Sequence, residues 1–184
     1  MTSDAVSIRA ATADDAAAIA AVYAPHVEAS YASFEEVAPA PEEMARRMVD
    51  PPALPWLVAE RVGAVVGFAY AAHHRVRPAY RWSCDLSVYL AAGATGAGVG
   101  TALYSRLIPL VRELGHVSAY AAIALPNDAS VALHRAQGFV PLGTFRDVGF
   151  KRGEWRDVAW FHLPLVDPPT DPREPRAWDG SVES

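Results

Sequence analysis

Two reactive side chains are almost missing from this chain: it has one cysteine, Cys84, and one lysine, Lys151, in 184 residues. A single cysteine allows no internal disulfide, and nothing at the N-terminus reads as a secretory leader, so a cytoplasmic setting is expected. The Ala-rich stretch 16–24 follows Asp14 and Asp15 and lacks the basic lead of a leader. No apolar run reaches the ~18 residues of a membrane-spanning helix, so no membrane partner is expected. A basic excess is also absent. The 16 Lys and Arg stand against 21 Asp and Glu, a net charge of −5, which argues against nucleic acid as a partner. Small anions stay open as ligands, because backbone amides and single arginines bind phosphate whatever the net charge.

What is present is enough apolar material for one domain: 52% of the residues are hydrophobic and 20% charged. The composition shifts near the end. Residues 166–184 hold four prolines, five acids and two arginines, so they carry −3 and the rest of the chain −2. Proline at this density defeats helix and sheet. The folded domain is therefore expected at 5–165 and a disordered or loosely docked tail at 166–184.

Inside the domain the pattern alternates between strand and helix. Val6–Arg9 reads as a short strand. Thr12, Asp14 and Asp15 signal a helix start, and an Ala-rich helix follows to about Glu28. A polar loop leads to a second helix, Pro41 to about Val49. Strands are expected at Trp56–Glu60 and Ala64–Tyr70 around a tight turn, then a basic, aromatic connection, then a strand at Trp82–Leu90. A glycine-rich turn precedes a helix at Thr101–Leu114. A strand at Val117–Ile123, a helix after Asn127 through Gln137, and strands at Phe139–Arg146 and Arg156–Leu165 complete seven strands.

The glycine-rich turn, Gly93 to Gly100 between a strand and a helix, can present successive amides and a helix dipole to a phosphate. It fits neither of the two best-known phosphate motifs. A dinucleotide G-x-G-x-x-G starting at Gly96 or Gly98 would need a glycine where Thr101 or Leu103 stands. A Walker loop needs a lysine, and the turn has none.

A second cluster, Leu125-Pro-Asn-Asp-Ala-Ser-Val-Ala-Leu-His-Arg-Ala-Gln-Gly-Phe139, follows the next strand. With IRAATADDAAAI, PWLVAE, GFAYAA, RPAYRW, SVYL, GVGTALY and GFKRGEWRDVAWF in the same order, the chain resembles acetyl-CoA-dependent N-acetyltransferases of the GNAT superfamily. It is most similar there to the phosphinothricin and methionine sulfone/sulfoximine acetyltransferases. The resemblance implies a mixed α/β (α+β) fold with about four helices. Its seven-stranded, mostly antiparallel sheet should contain one splayed parallel pair. It also implies acetyl-CoA as cosubstrate, a small-molecule amine acceptor, no metal and a homodimer.

The resemblance further assigns residues. Val88 and Leu90 would offer backbone contacts to the pantetheine arm, paired as an added strand. Thr95, Gly96, Gly98, Val99, Gly100 and Thr101 would hold the pyrophosphate, with Thr95 standing where the family pattern has Gln or Arg. Asn127 and Ser130 match positions contacting the pantetheine end, and Asn127 or Asp128 would also cap a helix. Asp85 falls where the subgroup has a Glu thought to accept the amine proton, and it is shorter by one methylene. His134 falls where many relatives have a Tyr that protonates the leaving sulfur, and its acid or base role stays open. Tyr104 reads as an aromatic of the helix–sheet interface or a neighbour of the acetyl end. Phe34, Glu35, Arg75, Arg77 and Tyr80 match acceptor-site positions, the arginines suited to a carboxylate. Cys84 is not expected as a nucleophile, because alternation puts it opposite Asp85. Other amine acceptors, or a CoA-binding module with little catalysis, are the rival readings.

Overall fold

A computed structural model describes residues 5–182. Strand β1 (Ser7–Ala10) leads into a short turn that starts α1 (Ala16–Glu28). Asp15 fixes that start. It accepts from the Thr12 amide at 2.8 Å and receives both guanidinium nitrogens of Arg9 at 2.7 and 2.8 Å. This bidentate pair holds the Asp15 carboxyl down at about 2. Next come α2 (Pro41–Met48), with proline at its first position, then β2 (Trp56–Arg61), β3 (Ala64–His73) and β4 (Ser83–Leu90). The chain continues through α3 (Val99–Glu113), β5 (Ser118–Ala124), α4 (Asp128–Ala136), β6 (Val140–Lys151) and β7 (Glu154–Pro164).

The seven strands form one sheet in the order β1-β2-β3-β4-β5-β7-β6. Every pairing is antiparallel except β4 with β5. That parallel pair is registered only at Ser83↔Ser118, Cys84↔Ala119 and Asp85↔Tyr120. Beyond Asp85, β4 stays with β3 as far as Leu90, while β5 stays with β7 as far as Ala124. The sheet therefore splits into two halves with a gap between them.

Period-two alternation sorts the core onto the two faces of the sheet. Leu57, Ala69, Cys84 and Leu86 pack with Leu103, Leu107 and Val111 of α3. Trp56, Val58 and Phe68 pack with Ile19, Val22 and Tyr23 of α1 and Met44 of α2. Cys84 is fully buried in the first of these layers, and burial pushes its thiol pKa up, so the thiol stays protonated.

Two stretches differ from the sequence reading. β3 runs three residues past Tyr70 to His73, paired with Cys84. The β6–β7 hairpin is longer than expected. Irregular register between Pro141 and Gly143 and between Phe145 and Gly149, with Asp147 at φ 49°, lets β6 bend and continue to Lys151. Of the two expectations for the tail, residues 166–182 meet the docked one. They carry no helix or strand, as their prolines dictate, yet they lie against the body. Arg176 donates its amide to Leu114 O at 2.8 Å and Trp178 its amide to Ala53 O at 2.9 Å, while Arg173 O accepts from the Trp82 indole. The Trp178 ring finds in both core layers the apolar neighbours its own segment lacks. Among the described residues no helix is long and apolar enough to cross a membrane.

Candidate active site

The gap between β4 and β5 opens into a cavity of about 580 Å³. All ten residues expected to hold the cofactor line it: Val88, Leu90, Thr95, Gly96, Gly98, Val99, Gly100, Thr101, Asn127 and Ser130. His134 lines it as well, whereas Asp85 and the five expected acceptor residues lie outside its wall. Ala91 donates to Val66 O on β3, so its neighbour Leu90 turns its carbonyl the other way, into the gap. Val88 does the same by alternation. The Leu90 carbonyl is not free, however, since it faces His26 Nε2 at 2.8 Å. His26, at the end of α1, is a cavity residue that the sequence reading missed. Its spacing from Ile19, Val22 and Tyr23 puts it on the buried face of α1, but the partner it meets there, Leu90 O, lies 64 residues on.

The glycine turn is built by the backbone. Gly96 and Gly98 have φ of +78° and +76°, and a Cβ added at either would meet nothing within 4 Å. Glycine is there for conformation, not for room. Gly98 is the left-handed residue that starts α3, and no side chain caps the helix. The first turn's amide of Ala102 bonds Gly98 O, so the amides of Val99, Gly100 and Thr101 precede any helical acceptor. Gly100 has a different reason. A Cβ there would approach Leu133 Cδ2 to 2.9 Å, so this glycine lets α4 pack close to α3. An uncapped helix N-terminus and an unpaired strand edge on one cavity suit the phosphates and the amide-bearing arm of acetyl-CoA.

Asn127 caps α4 by accepting the Ser130 amide at 3.2 Å, and among the described residues its amide nitrogen has no hydrogen-bond partner. His134 is buried, with Nδ1 2.7 Å from Ser130 O and Nε2 2.9 Å from the Tyr104 hydroxyl. A carbonyl only accepts, so Nδ1 carries the proton and Nε2 accepts from Tyr104. Burial lowers the His134 pKa and raises that of Tyr104, which favours this neutral pair. Tyr104 is itself fully buried in the helix–sheet layer, so it meets His134 rather than the cavity.

Asp85 lies one row of side chains from the cavity, on the α1 face of β4. The arginines close to it in sequence do not bond it. His74 Nδ1 does, at 2.6 Å. Burial raises the Asp85 pKa, and His74 and Arg75 act against that rise. His74 also stacks on Tyr120 with ring centres 4.4 Å apart. The sequence reading placed His74 in a basic loop. Running β3 on to His73 puts Ala72 and His74 on the Asp85 face, and that extension was the missing signal.

The other expected acceptor residues scatter around this row. Arg75 lies over the Trp160 ring at 5.4 Å, Arg77 precedes the short turn 78–80, and the half-exposed Tyr80 ends it. Phe34 covers Gly149 of β6, where a Cβ would come within 2.2 Å of its ring. Glu35 points elsewhere. Arg47 takes both its oxygens at 2.8 and 3.1 Å, and the Tyr23 hydroxyl donates to it at 2.9 Å. Arg47 holds the Glu35 pKa below the usual carboxylate range. Lys151 is buried between the carbonyls of Val27 and Ser33, at 2.5 and 2.6 Å, and ties the hairpin to the loop that carries Phe34. Among the described residues no three metal-type ligands cluster.

Comparisons with known proteins agree with this geometry. The phosphinothricin N-acetyltransferase of Alcaligenes faecalis is 43% identical over 172 residues, which cover 88% of this chain and 83% of that protein. A second phosphinothricin N-acetyltransferase, from Streptomyces viridochromogenes, is 38% identical over 174 residues, covering 91% and 94%. Among solved structures, a GNAT superfamily phosphinothricin acetyltransferase from Sinorhizobium meliloti in complex with AcCoA superposes with a TM-score of 0.87. It is 36% identical, and the alignment covers 96% of this chain and 97% of that one. Residues 8–160 match the acetyltransferase (GNAT) domain family, and the chain belongs to that family.

Proposed function

We propose that this N-acetyltransferase moves the acetyl group of acetyl-CoA to the α-amine of a small amino acid or analogue of the phosphinothricin or methionine sulfone/sulfoximine type. The observation that carries the reading is the splayed β4–β5 pair. Its cavity supplies amides and strand edge on one side and meets a row with a carboxylate, imidazoles and arginines on the other. The relatives' substrates agree with it.

Acetyl-CoA lies in the cavity. Its phosphates are held by the amides at Gly98–Thr101, its arm by the Val88 backbone and the side-chain amide of Asn127, and its thioester near Ser130 and His134. The acceptor approaches from the α1 face, with its carboxylate on Arg75 and Arg77 and its walls formed by Phe34 and Tyr80. Glu35 acts at one remove, by holding the loop to Arg47. The amine loses a proton in the region of Asp85 and attacks the thioester directly, with no acyl-enzyme, since Cys84 is buried on the opposite face. His134 and Tyr104 form the polar pair nearest the departing sulfur.

The chain acts in the cytoplasm as a homodimer. The hairpin supports the dimer: Leu142, Phe145, Phe150 and Trp155 are each more than half exposed there, a density of bare apolar side chains that a second copy would cover. Sedimentation velocity of the protein, and of a Leu142→Glu, Phe145→Glu variant, checks this. An unchanged monomer in both samples removes the dimer.

The decisive assay mixes protein, acetyl-CoA and a panel of amines and follows free thiol. Thiol release with phosphinothricin, methionine sulfone or methionine sulfoximine is expected. Turnover confined to polyamines or aminoglycosides overturns the substrate class. Acetyl-CoA binding with no turnover on any amine leaves a CoA-binding module.

A further inference from the structure

The row that faces the acceptor holds a pair the reaction has not yet been given. His74 Nδ1 lies 2.6 Å from Asp85 Oδ1, a charge-assisted distance. An ionised carboxylate only accepts, so Nδ1 carries the hydrogen and the lone pair sits on Nε2. Among the described residues Nε2 makes no hydrogen bond. The ring cannot turn away easily. It is stacked on Tyr120 at 4.4 Å and 19°, with Tyr80 and Trp160 edge-on at 6.0 and 5.9 Å.

Its place along the strands is equally specific. Asp85 pairs with Tyr120, and two residues further on the same face Ser87 and Ala122 line the cavity. Two residues of strand span ~7 Å, which leaves one row of space between the dyad and the acetyl end of the cavity. Asp85 alone reaches into that space poorly, being shorter by one methylene than the Glu of the subgroup it resembles. The imidazole gives that carboxylate a basic nitrogen, Nε2, that no described residue occupies. The ionisable groups around the ring are Asp85 on β4, Tyr120 on β5, with His162 stacked behind it at 5.0 Å, Tyr80 on the turn and Arg75 beside it in the chain.

We propose that His74 is the catalytic proton acceptor for the amine, and that Asp85 is the positioning residue that fixes its tautomer and stabilises the imidazolium. This rests on the acetyltransferase reading above. The ammonium form of the acceptor gives one proton to Nε2, directly or through one water, and becomes the free amine. Its nitrogen forms the C–N bond to the thioester carbonyl, and the C–S bond breaks with its electron pair on sulfur. The nitrogen's surplus proton goes to that thiolate, and Nε2 returns its proton to solvent.

The test uses the full chain with acetyl-CoA and whichever panel amine the wild type acetylates. In His74→Gln the side-chain amide can still donate to Asp85 but has no basic lone pair. His74→Gln and His74→Ala are both expected to lose about 100-fold or more in kcat, the low end for a general base, with the acetyl-CoA Kd unchanged within about twofold. Added imidazole should restore part of the His74→Ala rate, which a packing role would not allow. Asp85→Asn should fall by less and should not respond to imidazole. A His74→Gln rate within threefold of wild type overturns the dyad while leaving the acetyltransferase intact, and so does a His74→Ala loss that imidazole does not touch. No turnover by the wild type on any amine overturns the function itself, and the proton path with it.

Discussion

The two sides of the split sheet are made of different material. On the cofactor side the working groups are backbone: the left-handed Gly96 and Gly98, the uncapped amides of α3 and the unpaired edge of β4. On the acceptor side they are side chains held by other side chains: His74 on Asp85, Arg75 over Trp160, Glu35 on Arg47 and Tyr23, and Lys151 on two carbonyls. A backbone site depends on conformation, and few substitutions reach it. A side-chain site depends on partners, and one deletion strands what remains.

The largest expected effect breaks the acceptor side alone. In Lys151→Met the carbonyls of Val27 and Ser33 lose their shared donor in a buried place. Each stranded group costs about 1–3 kcal/mol, so about 2–6 kcal/mol of stability should go in urea unfolding. The loop carrying Phe34 should loosen, raising KM for the acceptor while the acetyl-CoA Kd holds. Equal losses in both constants would mean that the two sides are not independent.

Acid acts on the fold that both sides share. His116, beneath the end of α3, is buried with both nitrogens unpartnered among the described residues, and burial takes it down to about 4. His134 is lowered in the same direction but has both nitrogens bonded. A histidine with a depressed folded pKa is neutral in the fold and binds its proton more readily unfolded. Stability from keeping it neutral is therefore full above about 6.5 and is lost as the pH falls from there towards about 4. The His116 share is on the order of 2–3 kcal/mol. Melting curves from pH 7 to 4 should show it, and His116→Leu should remove its share of the slope, leaving the parts from His134 and from the held-down carboxylates Asp15 and Glu35. A slope that His116→Leu does not change assigns the acid response to other groups.

Gly98→Ala makes the converse break. Its φ of +76° strains any L-residue by roughly 1–2 kcal/mol, although nothing crowds the new methyl. Acetyl-CoA binding by calorimetry should weaken about tenfold as the first amides of α3 turn out of line, with the acceptor KM held. Unaltered acetyl-CoA affinity would mean that the phosphates do not use this helix end.

The same division decides how much the sequence could show. The glycine turn, the Asn127 cap and the seven strands are local, and spacing exposes them directly. The Gly100 role is not local, because its reason is Leu133 on another helix. His26 and His74 were illegible for the same cause: each acts on a residue that only the sheet brings near, Leu90 and Asp85. Three residues of extra strand were enough to hide His74. The hairpin escaped because β6 is exposed along most of its length, so no period-two burial marks where it ends. Trp178 sits among apolar residues that its proline-rich neighbours could not reveal.

The smallest expected effect asks whether the cofactor side can be given a side chain. Thr95 is exposed on the cavity wall, where the family pattern has Gln or Arg, and nothing charged replaces it within the turn. In Thr95→Arg a guanidinium would join amides that now act alone. A charge-assisted bond is worth about 1.5–3 kcal/mol when sheltered, but at this exposure water and salt reduce it to 1 kcal/mol or less, about a three- to fivefold tighter Kd. The gain should shrink between low salt and roughly 0.5 M, as an exposed ion pair does and a set of buried amides does not. A gain that ignores salt would mean that the new side chain reorders the turn rather than meeting the phosphate. No gain at all would mean that the uncapped helix end already satisfies the anion. The contrast between a backbone-built and a side-chain-built half would then hold even where a charge is offered.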